Sequence, residues 1–191
     1  METFEFVINL DKIMSGRFYH QSKHPQFGVA LEKGLELGYK EVADGMTNKL
    51  IDNLALFGLA DSDLIGSVDI EFNNDGISLI LNDGKDGYAT FVEYGTGIVG
   101  ADSPHPQPSR NGWVYDINEH GEEGWWYPSR ESDPNPTKYL SKSGQWIAWT
   151  KGMPSRPFMY MTWRWTSSRA TQIISKHISA EFRKLERKSR W

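Results

Sequence analysis

Two histidines four residues apart, His20 and His24, have the spacing at which one helix face presents a pair of imidazoles to a metal ion. Pro25 follows at once and no H-E-x-x-H run exists, so the pair carries no zinc-peptidase signature. A second group joins His105 and His120 to Asp116, Glu119, Glu122 and Glu123 within one proline-rich stretch, a donor set that suits a divalent ion. Such residues also cap turns and pair across loops, and the expectation is no metal site and no cofactor. Gly95, Gly97 and Gly100 are spaced like part of a phosphate loop, yet no G-K-[ST] follows and no βαβ frame surrounds them. The chain has no cysteine, which excludes disulfides, thiolate metal sites and cysteine nucleophiles in one step. There is no G-x-S-x-G elbow, and the one carboxylate pair at helical spacing, Glu32 and Glu36, falls on a solvated helix face. The chain therefore reads as a protein that is not an enzyme.

What must hold these residues is an ordinary core. The 191 residues are 38% hydrophobic, enough for one core, and a single domain over 1–191 is expected. Phe4, Phe6, Ile8 and Leu10 alternate with polar residues, the period of a short strand. Pro25 suits the first turn of a helix, whose apolar face is expected at Leu31, Leu35, Tyr39, Val42, Met46, Leu50, Leu54 and Phe57. Gly28, Gly34, Gly38 and Gly45 fall inside it, each costing about 1 kcal/mol against alanine, so they mark either close packing or a frayed first half. The Gly34-to-Gly38 spacing matches a membrane-dimer motif, but Glu32, Lys33, Glu36 and Lys40 surround it.

Val68, Ile70 and Phe72, then Ile77, Leu79 and Leu81, alternate around the turn NNDG, which predicts a hairpin with one buried face. After a second turn, YATFVEYGTG brings aromatic and β-branched residues to a pair of glycines. Residues 101–152 read as an extended loop insertion: seven of the nine prolines lie in it or at its edges, and no helical period survives. Its GWVYD, GWWYP and QWIAWT segments suit a small aromatic cluster or short strands. A last amphipathic helix is expected from Pro157 to about residue 186, through Phe158, Met161, Trp165, Ile174, Ile178, Phe182 and Leu185. The class is α+β, an antiparallel sheet packed by an N-terminal and a C-terminal amphipathic helix, with a long Trp/Pro-rich loop insertion. No stretch approaches the roughly 20 apolar residues of a membrane span, and METFEFVINLDK lacks a signal-peptide layout, so a soluble protein made in the cytoplasm is expected.

The net charge of -4 argues against a dedicated nucleic-acid binder. Residues 41–93 hold eleven acids against two bases, and the last 23 residues hold seven bases against two acids, including Arg183, Lys184, Arg187, Lys188 and Arg190. Copies of such a chain can stack head to tail, acidic surface on basic surface. Trp113, Trp125, Trp126, Trp146 and Trp149 leave two binding readings open: a platform for sugar rings, or anchors buried against neighbouring copies.

Phe91-Val92-Glu93-Tyr94-Gly95-Thr96-Gly97, followed after a variable loop by Pro154-Ser155-Arg156-Pro157-Phe158-Met159 at the head of the last helix, resembles the tail-component family of long-tailed bacteriophages. The likeness covers about residues 25–187, and the long Trp-rich loop is similar to the version found in phages of Gram-positive hosts. The resemblance implies a virion protein of the neck, a tail-completion or head-tail joining protein assembled in the host cytoplasm. Its implied partners are itself, as a homo-oligomeric ring of six subunits, the head connector and the tail-terminator or tail-tube proteins, with passing contact to phage DNA and none to membrane. It carries no catalytic residues to transfer. The matching positions are Glu93, Tyr94, Gly95, Thr96, Arg156, Pro157, Phe158 and Met159, and a Glu93–Arg156 pair at the base of the loop is expected. The alternative is a carbohydrate-binding accessory protein that uses the loop tryptophans.

Overall fold

The computed structural model describes residues 2–7, 26–60, 62–73, 76–82, 87–107, 112–115 and 123–188. Its elements in chain order are β1 (Glu2–Val7), α1 (Phe27–Leu56), β2 (Val68–Asn73), β3 (Gly76–Leu81), α2 (Tyr88–Tyr94), α3 (Gly97–Asp102), β4 (Trp125–Pro128), β5 (Tyr139–Leu140), β6 (Trp146–Thr150), β7 (Gly152–Met153) and α4 (Phe158–Lys188). The class is α+β, with helices and antiparallel sheets. Two compact units emerge, one from residues 1–82 with 158–191 and one from 83–157. The piece set into the chain thus begins at Asp83, ahead of the 101–152 loop read from the sequence, and is compact in itself because it carries its own helices and sheet.

In the first unit α1 and α4 run antiparallel along nearly their whole length. The second half of α1 buries the expected Val42, Met46, Leu50 and Leu54, but the first half buries Ala30, Gly34 and Gly38 in place of Leu31, Leu35 and Tyr39. The reason is distance between backbones. A Cβ on Gly34 would lie 2.7 Å from the Cα of Ile178, and one on Gly38 would lie 2.9 Å from the Cα of Ile174, so any side chain would force the helices apart. Close packing, not fraying, explains these glycines. The facing stripe of α4 is Phe158, Thr162, Thr166, Ala170, Ile174, Ile178 and Phe182, while Met161 and Trp165 are only half-buried. Thr162 and Thr166 tolerate burial because each hydroxyl donates to the carbonyl four residues back, at 2.8 and 2.9 Å.

Asn53, fully buried, ties the two helices laterally: its Nδ2 donates to the Phe158 carbonyl at 3.2 Å and to Thr162 Oγ1 at 3.0 Å. The three-stranded sheet has the order β1-β3-β2, all antiparallel. Every residue of β3, the central strand, is buried, so both of its faces are covered where alternation predicted one. Ile8 and Leu10 of the expected first strand, and Pro25 at the helix start, lie outside the described residues.

In the second unit, YATFVEY forms α2, although its aromatic and β-branched residues favour a strand. Gly87 opens it at φ 62° and Gly95 stops it at φ 79°. The GWWYP and QWIAWT segments supply β4 and β6 of a second antiparallel sheet of order β4-β6-β5, while Trp113 of GWVYD lies in no strand.

Candidate functional site

The two sequence blocks meet inside the second unit. Thr96 pairs with Met153 and Gly97 with Gly152 as antiparallel bridges, and the Met153 N–H donates to Thr96 Oγ1 at 3.2 Å. The Ser155 hydroxyl donates to the Glu93 carbonyl at 2.7 Å, and the Arg156 N–H to the Val92 carbonyl at 2.9 Å. Glycine permits this approach: a Cβ on Gly95 would stand 2.6 Å from the Ser155 nitrogen, and one on Gly152 would overlap the Thr96 carbonyl at a φ of 105°. The second block continues across the unit boundary, since Phe158 and Met159 are buried in the first turn of α4.

Glu93 does not pair with Arg156. Its carboxylate is fully buried and meets His105 Nε2 at 3.1 Å, with the histidine side chain equally sealed. His105 Nδ1 accepts the Gln107 N–H at 3.0 Å, which leaves the proton on Nε2 to be donated to Glu93. Arg156 contributes its main chain instead. Around the pair, Tyr94 lies 4.3 Å from the His105 ring and 5.1 Å from Trp113, and Trp113 Nε1 donates to the Gly95 carbonyl at 3.0 Å. His105 was read from the sequence for a metal; its signal as a partner was its place among prolines beside the first block.

The five loop tryptophans divide. Trp113 is spent on the junction, stacked on Tyr94. Trp125 lies beside Gly97, where its ring atoms come within 2.9 Å of a Cβ built there. Trp146 is half-buried with the Lys138 ammonium 5.7 Å from its ring. Strand pairing puts Trp126 opposite Trp149 and Tyr139 opposite Ile147, all on one sheet face. There Trp126 is 53% and Tyr139 47% exposed, and their rings meet edge to face at 81°. The pair makes a corner, not a flat platform.

Behind the sheet a polar turn, absent from the sequence-based candidates, fixes the connection from β4 to β5. Asp133 accepts from the Ser129 hydroxyl at 2.6 Å, the Asn135 N–H at 2.8 Å and the Tyr127 hydroxyl at 2.9 Å, which holds its carboxyl below the usual carboxylate range, the Ser129 bond leading. Burial first, and Asp133 nearby, push the Tyr127 phenol up. Asn135 Nδ2 then donates to the Trp149 carbonyl at 3.0 Å. The signal was the Asp-Pro-Asn-Pro string, whose Asx side chains bond backbone two residues on.

At the far end of α4, Arg183, Lys184, Arg187 and Lys188 are exposed, with Lys184 paired to buried Glu181; Arg190 lies outside the described residues. His20, His24, His120, Asp116, Glu119 and Glu122 also lie outside them, and among the described residues no cluster of three or more metal-ligating side chains forms. No described helix is long and apolar enough to cross a membrane. No protein-family model, curated protein or solved structure matches the chain.

Proposed function

We propose that the chain is a structural virion protein of the phage neck, forming a ring that completes the tail and joins it to the head connector. One observation supports the reading most: the two blocks behind the resemblance, 62 residues apart at Glu93 and Ser155, are joined by the Ser155 hydroxyl on the Glu93 carbonyl and the Arg156 N–H on the Val92 carbonyl, at the base of the Trp-rich segment. The outward corner of Trp126 and Tyr139 is then the anchor for a neighbouring virion protein, where a protruding side chain fits between two rings at a steep angle. Cryo-EM of virions carrying a labelled copy should show density at the neck. Label confined to the baseplate, or absent from particles, would refute the assignment.

The carbohydrate reading draws on the same exposed pair. It requires Trp126 to be open in every state, whereas an interface requires it to be shielded in the assembled particle. Quenching of Trp126 fluorescence by iodide, compared between free protein and particles, separates the two.

A further inference from the structure

Because α1 and α4 are antiparallel, the first turns of α1 and the last turns of α4 come together, and they enclose a cavity of about 380 Å³. Its floor includes Ala30 and the buried Glu181, beside a stack of Phe27 on Phe182 at 5.1 Å. Its walls carry Lys33, Lys184 and Lys188. Glu181 takes up Lys184, and among the described residues Lys33 and Lys188 have no carboxylate partner. Two ammonium groups therefore share one partly apolar recess without compensation, and Arg183 and Arg187 extend the positive surface along α4.

We propose that this recess receives the acidic edge of a second copy of the chain, namely β2 with Asp69 and Glu71. The inference rests on the ring reading and deepens it. Among the described residues β2 is an edge strand, with no strand paired on its outer side. Asp69 and Glu71 are two residues apart, which puts both carboxylates on one face about 7 Å from each other. Both are exposed, and Asp69 is steadied by the Asn82 amide. These two exposed carboxylates are opposite in charge to the two unpaired ammonium groups of the recess. The two surfaces are different patches of one unit, so the contact is heterologous: repeated, it closes into a ring or runs on as a filament. Nucleic acid is the weaker occupant, since the whole chain carries -4.

The test uses four preparations of the purified full chain: wild type, Lys33→Glu with Lys188→Glu, Asp69→Lys with Glu71→Lys, and Lys33→Gln with Lys188→Gln, each checked for helix content by circular dichroism. By sedimentation at low salt the wild type should associate and should dissociate as salt rises. Each charge-reversed variant alone should associate at least tenfold more weakly. Mixing the two variants should restore association, because each then offers the charge the other lacks. Lys33→Gln with Lys188→Gln, which adds no repulsion, should fall between. A wild type that is monomeric at every salt, a mixture that stays apart, or variants that assemble like wild type would overturn the contact. So would a lysine variant that assembles normally but loses binding to a double-stranded DNA oligomer, since the recess would then serve nucleic acid. Restored assembly by a protein whose label is missing from virions would uphold the contact and refute the neck assignment.

Discussion

The two units spend the same residue, glycine, on opposite ends. In the first, Gly34 and Gly38 have ordinary helical backbones and are needed only for what they lack, a Cβ between α1 and α4. In the second, Gly95, Gly97, Gly124 and Gly152 all take positive φ, and each also lets one strand of backbone press on another. The first unit is held by long apolar faces, the second by chain reversals, buried polar pairs and aromatic rings. A helical pair tolerates change wherever space exists; a unit built of reversals depends on single atoms.

That contrast breaks most readily at His105. His105→Ala leaves the sealed Glu93 carboxylate without its imidazole donor, and a loss of about 3 kcal/mol or more is expected. Hydrogen exchange should localise the loss to residues 87–107 and 123–157, and protection lost equally along α1 would show that the units are not separate in stability. Gly38→Leu comes next, at the upper end of the about 1–3 kcal/mol of overpacking, because the obstacle is the Cα of Ile174 and not a movable side-chain end. Urea unfolding followed at α1 and α4 should register it. Gly28, on the same helix with nothing within 4 Å, should behave in reverse: Gly28→Ala is expected to stabilise by about 1 kcal/mol, and a destabilisation there would mean that the glycine stripe extends to the helix start.

Smaller effects sharpen the contrast through pH. Asp133 is held below its ordinary value, so its contribution is complete above the usual carboxylate range and is lost as pH falls through the depressed folded value. Asp133→Asn should remove that acid-side sensitivity from the β4–β6 sheet, read by NMR of Trp149. Glu41 shifts the same way, chiefly through His177 and then Lys176 of α4, but it is largely exposed, and Glu41→Gln should cost under about 1 kcal/mol and less in high salt.

Both long helices, the hairpin and the α+β class could be read directly from apolar spacing. The buried stripe could not be, since hydrophobic period counts Leu31 and Leu35 while the interface selects Gly34 and Gly38 for closeness. Spacing assigns YATFVEY no element; it folds as a helix bracketed by two glycines with positive φ, although its residue types favour a strand. The meeting of Glu93–Thr96 with Met153–Arg156 followed the expectation, but the partner of Glu93 did not. A carboxylate in a dry place needs a short-reach donor, and His105 arrives through a turn whose geometry no spacing rule specifies. The tryptophans were visible as a group and indistinguishable individually, because which of them face out depends on the register of β4 and β6.

The order of these pieces along the chain also sets a timetable. A ribosome finishes α1 about a hundred residues before Phe158, the first residue of α4, is made. Throughout that interval the Gly34–Gly38 groove and the Asn53 amide have no helix to meet, and residues 83–157 leave the exit tunnel ahead of α4. The inserted unit is therefore able to fold first and the flanking unit last, with α4 closing onto a waiting α1. A pause in translation just before codon 158 would lengthen the exposure of that bare helix face, and the chaperone demand of the protein should rise with it.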